Sequence, residues 1–72
     1  MNRYQAEIDQ IKRDRERIQQ RIKELKQANI ARYGLSGLLG DNDYNRRIQA
    51  LYGYVDGLDE CLCFLARYNR RG

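Results

Sequence analysis

Residues 44–69, YNRRIQALYGYVDGLDECLCFLARYN, carry two apolar seams rather than one. The first is Tyr44, Ile48, Leu51, Val55, Leu58, Leu62 and Leu65, and the second is Ala50, Tyr54, Gly57, Cys61, Phe64 and Tyr68. Both step by alternating three and four residues, the spacing that keeps side chains on one side of a helix. They are offset by one residue, roughly 100° around the helix axis. A helix with one such seam needs one neighbour. This helix needs two.

Upstream, Tyr4, Ile8, Ile11, Arg15, Ile18, Ile22, Leu25, Asn29 and Arg32 form an unbroken heptad alternation, which predicts a first helix from about Arg3 to Arg32. At 1.5 Å per residue it would be about 45 Å long. Asn2 is placed to cap its start by accepting a backbone N–H bond. Gly34 suits the left-handed position just past its end, with Leu35 folding back onto Ile30 as in a Schellman ending. The loop, residues 33–43, is the only break. Its Leu35, Leu38 and Leu39 are too apolar for a free linker, so the expectation is a hydrophobic lid over the bundle end. Asp41 or Asp43 is expected to cap the second helix, about residues 44–69, at its positive end.

So short a connection favours an antiparallel helical hairpin, an all-α fold in a single domain spanning residues 1–72. Folding the hairpin brings together positions whose numbers total about 76, so that Leu25 faces Leu51, Ile22 faces Val55 and Ile18 faces Leu58. Arg15 then falls beside Asp59 and Leu62. A charge on an apolar seam must be paired or must reach outward along its stem. Arg15 is therefore expected to contact Asp59 or Glu60, and the Arg15–Asp59 pair to select the register as polar seam residues do in coiled coils.

The second seam points to an interface. Gly53 and Gly57 sit one turn apart inside a predicted helix, where each glycine costs roughly 1 kcal/mol relative to alanine. Close approach of another backbone is the usual compensation. Run antiparallel about a centre near residue 59, the seam is self-complementary: Ala50 faces Tyr68 of a second copy, Tyr54 faces Phe64, and Gly57 faces Cys61. That is what a two-fold interface asks of one patch. The expected interface is therefore Ala50, Gly53, Tyr54, Gly57, Cys61, Phe64 and Tyr68, with two hairpins forming a four-helix bundle. The same surface could capture a protein target, since tyrosine and arginine are favoured at binding hot spots. The chain holds 6 tyrosines. The reading favours the homodimer.

Enzymatic chemistry is not expected. There is no histidine to act as a base near neutral pH, no threonine, and Ser36 has no base within its loop to activate it. Two cysteines and no histidine do not supply the four ligands of a structural zinc site, and Cys61 and Cys63 diverge on a helix. No metal, cofactor or small-molecule substrate is expected. Nor is a membrane span: no apolar run approaches roughly 20 residues, and the N-terminus is charged rather than signal-like. The expected location is the cytoplasm, with reduced thiols.

Nucleic acid is the alternative partner. The net charge is +4, Arg13 and Arg17 share an outer face of the first helix, and Arg67, Arg70 and Arg71 gather at the C-terminal end. Arginine contacts phosphate and tyrosine stacks on exposed bases. Against this, Glu7, Asp9, Asp14, Glu16 and Glu24 dilute the field of the same helix. In layout, a short hairpin that pairs into a four-helix bundle resembles the small plasmid RNA-binding regulators of the Rop type, and no residue motif is shared with them. Small basic helical chains without enzymatic residues are also common among phage and mobile-element inhibitors. The expectation is a non-enzymatic regulator or inhibitor that binds a macromolecular, protein partner through helical surfaces, favouring a homodimer.

Overall fold

The heptad alternation and the double seam each become one long helix. A computed structural model describes residues 4–71, with side-chain surroundings from Tyr4 to Asn69. Helix α1 spans Gln5–Tyr33, a 3₁₀ turn spans Leu35–Leu38, and helix α2 spans Asp43–Arg71. The helices pack antiparallel into a rod of 50 × 16 × 14 Å. The fold is an all-α helical hairpin. None of its described helices is long and apolar enough to cross a membrane.

The α1 seam meets the first α2 seam. Ile22, Leu25, Ile48 and Val55 form the buried cluster, with Ile18, Tyr44 and Leu51 packed against it. Ile8 is buried separately toward the open end. Each buried aliphatic side chain contributes about 1.5–3 kcal/mol, and so few of them make a thin core. Cross-helix contacts straddle the expected register. Tyr4 meets Asn69, Arg15 meets Asp59, Lys26 meets Tyr52 and Asn29 meets Asn45, with numbers that total 73 to 78.

The turn differs from expectation in three ways. First, Leu35, Leu38 and Leu39 are 74%, 38% and 90% exposed, so they form no lid. The end of the bundle is closed by amides instead. Asn29, fully buried, donates to the Gly37 carbonyl and to Asn45 Oδ1, both at 3.1 Å, and accepts from Asn42 Nδ2 at 3.1 Å. Asn42 and Asn45 also donate to the Gly37 carbonyl, at 3.0 and 2.8 Å, and Asn45 reaches the Gly40 carbonyl. Turn carbonyls must find donors when they are buried. Three asparagines supply what leucines cannot.

Second, the α1 ending is not a Schellman motif. Gly34 has φ 74° but ψ −171°, which is not the left-handed helical conformation, and its N–H donates to the Ile30 carbonyl at 2.7 Å. The extended ψ turns Leu35 out to solvent instead of back onto Ile30. Third, the cap of α2 is Asn42, whose Oδ1 accepts from the Asn45 N–H at 2.9 Å. Asp41 and Asp43 instead pair with the Arg46 guanidinium, at 3.2 and 3.3 Å. At the other end α1 begins after Tyr4 without a side-chain cap bond, and the expected Asn2 cap lies outside the described residues. Arg32 leaves the seam, exposed, with its guanidinium 5.6 Å from the Tyr33 ring centroid.

Candidate interaction surface

With the first α2 seam consumed by α1, the second lies bare. Ala50, Gly53, Tyr54, Gly57, Cys61, Phe64 and Tyr68 are all exposed, and Tyr54, Phe64 and Tyr68 are 58%, 56% and 53% accessible. They form one strip along a single side of α2, about 27 Å from Ala50 to Tyr68 at the helical rise. The half-buried Leu58 and Leu65 extend it toward the core. Soluble proteins rarely leave a contiguous apolar stripe of this kind unused.

Nothing among the described residues explains Gly53 and Gly57. A Cβ built on either one would meet no atom within 4 Å. Gly37 shows the contrast, because a Cβ there would lie 2.6 Å from Asn29 Oδ1 and 2.8 Å from Tyr33 Cβ. Packing inside the hairpin thus requires the turn glycine and not the helical pair.

Of the strip's residues, Phe64 also lines an open depression of about 460 Å³ beside it, together with Asp59, Glu60, Cys63 and Arg67. The Arg67 guanidinium lies 5.9 Å from the Phe64 ring centroid, a cation–π contact that holds this aromatic ring partly oriented. Both cysteines are free and exposed. Cys61 is on the strip and Cys63 is off it.

Arg15 Nη1 donates to Asp59 Oδ1 at 2.8 Å. The two side chains retain 35% and 48% accessibility, so solvent screens the pair and its contribution is at most about 1 kcal/mol. Arg15 Nε is buried without a hydrogen-bond partner, which offsets part of that. The pair fixes where two side chains sit more than it stabilises them.

Among the described residues, Arg13 and Arg17 on α1 do not converge with Arg67 on α2. Arg13 is exposed and donates to Gln10 Oε1 at 3.2 Å, and Arg17 is exposed on the same helix. Arg67 is engaged with Phe64 on α2, and the side chains of Arg70 and Arg71 lie outside the described residues. Sequence reasoning missed two features. One is the Lys26 ammonium 5.3 Å over the Tyr52 ring, on the flank opposite the apolar strip. The other is the partial burial of Asp14 and Ala28 on the strip's own flank of α1. Their spacing, one step of seven either side of Arg21, was the available signal. No protein-family model, curated protein or solved structure shows significant similarity to the chain.

Proposed function

We propose that this chain is a non-enzymatic regulator or inhibitor that works by binding a macromolecular partner, and that it does so as a homodimer joined through the outer strip of α2. The observation that carries the reading is the glycine pair. Gly53 and Gly57 weaken an exposed helix by roughly 1 kcal/mol each, have open space where a Cβ would stand, and sit among half-exposed aromatic rings. A second backbone lying across them accounts for all three facts. The antiparallel match of Ala50 with Tyr68, Tyr54 with Phe64 and Gly57 with Cys61 makes a second copy of the chain the natural occupant. Protein binding is favoured over nucleic acid because the exposed surface is aromatic and apolar where it is continuous, and mixed in charge elsewhere.

The test is Gly57→Leu with light-scattering mass and far-ultraviolet circular dichroism. The expected outcome is a dimeric wild-type chain and a monomeric variant of unchanged helicity. A wild-type chain that is monomeric at all concentrations overturns the dimer, and a variant that dimerises as well as wild type removes the strip from the interface. For the partner itself, binding should change little between low and physiological salt. A steep loss with salt would mark counterion release from nucleic acid instead.

A further inference from the structure

The strip on α2 is too small to hold a dimer by itself. An aromatic side chain buries about 150–250 Å² when fully covered. At just over half exposure, Tyr54, Phe64 and Tyr68 have roughly 100 Å² each to give, or about 600 Å² over two copies. Ala50, Cys61 and the glycine backbones add less than the rings. Stable interfaces bury about 1,200–2,000 Å² in total. A second contact is required, and symmetry says where it is.

Two antiparallel helices related by a two-fold axis must have that axis perpendicular to the plane containing them. Such an axis keeps whatever lies above the plane above it. The two contact seams of α2 are roughly 100° apart, so α1 stands to one side of the α2 pair and the partner's α1 stands on the same side. The α1 flank turned toward its counterpart is the one carrying Gln10, Asp14, Arg17, Arg21 and Ala28. Lys26 over Tyr52 fixes the other flank as the far one, and Asp14 and Ala28 are half-buried. With the hairpin register near 74–76 and the α2 pair centred near residue 59, α1 positions meet where their numbers total about 30–34.

We infer that Asp14 of each copy lies between Arg17 and Arg21 of the partner subunit, so that a reciprocal set of ion pairs between the α1 helices completes the dimer. This rests on the α2 dimer proposed above. Arg17 comes close to the partner's Arg17 at the axis, and the two Asp14 carboxylates are what neutralise that approach. Among the described residues Asp14 is held only by Gln10 Nε2 at 3.0 Å, and Arg21 only by a 3.5 Å contact to Glu24, so both are available to re-pair.

Two measurements separate this inference from the reading it rests on. In a Cys63→Ser background, Cys61 of the two copies would be offset by four residues along neighbouring helices, about 6 Å axially, across an interaxial gap of about 8–10 Å. A short bismaleimide should then yield covalent dimer, and Cys61→Ser should abolish it. Absence of the cross-linked product, with a monomeric mass, overturns both proposals. In the same background, Asp14→Arg should weaken dimerisation about tenfold or more by sedimentation, since arginine would then face only arginine. Adding Arg17→Asp and Arg21→Asp should restore it. A dimer that still cross-links through Cys61 but ignores the charge reversals overturns the α1 pairing alone. Circular dichroism of each variant confirms that the hairpin is intact.

Discussion

Replacing Asn29 with alanine should cost more stability than any single aliphatic truncation at the rim of the core. The side chain donates two hydrogen bonds and accepts one, all while fully buried. Neutral bonds contribute about 0.5–1.5 kcal/mol each, so three give roughly 1.5–4.5 kcal/mol. The Gly37 carbonyl keeps its donors from Asn42 and Asn45, while the half-buried Asn45 Oδ1 loses the donor that Asn29 supplied. Alanine also gains about half a kcal/mol of helix propensity. The net expectation is about 2–3 kcal/mol. For a domain of this size that corresponds to a fall in melting temperature of roughly 10–20 °C. The assay is thermal circular dichroism at one fixed protein concentration, because dimerisation would couple the melting point to concentration. Asn29→Asp, of the same shape but with no donor, should be at least as damaging. A fall of less than about 4 °C for Asn29→Ala would show that the amide cluster does not hold the turn.

Other substitutions probe the remaining elements. Gly53→Ala with Gly57→Ala should raise the stability of the isolated hairpin by about 1 kcal/mol per site, because a Cβ meets nothing there, while weakening the dimer; urea denaturation at low concentration and sedimentation at high concentration read the two effects separately, and a hairpin that loses stability contradicts the open geometry. Arg15→Leu removes a screened ion pair and an unsatisfied buried Nε and extends the seam between Ile11 and Ile18. Its urea midpoint should be equal or higher, and outright unfolding would show that Arg15 carries stability. Leu39→Ser should move the melting temperature by no more than about 4 °C, since the side chain is 90% exposed; a larger fall would restore the lid.

The helices were legible because their signal is long-range and redundant. Seven apolar positions on α2 and the matching alternation on α1 can be satisfied in only one way, so partner and register followed from spacing. Arg15 beside Asp59 followed from the same arithmetic. The turn was illegible because its logic is polar. Leu35, Leu38 and Leu39 read as a lid only if apolar side chains are assumed to seek cover, whereas the turn had carbonyl groups to satisfy first. Asn29, Asn42 and Asn45 stood in the sequence, but their convergence on Gly37 depends on backbone directions that no periodicity encodes. Asn42 displaced both aspartates as the cap for a related reason. Arg46 holds Asp41 and Asp43 on the outside, and the neutral amide bonds both the helix start and the turn.

The amide-bound turn also constrains how two copies can exchange parts. A two-helix hairpin has a ready route to domain swapping: the connection straightens, α1 and α2 fuse into one continuous rod, and each α1 docks on the other molecule's α2. Here that route would pull the Gly37 carbonyl away from three side-chain donors and uncover the most deeply buried amide in the hairpin. Copies that meet should therefore do so as closed hairpins, side against side, with each chain keeping its own pair of helices.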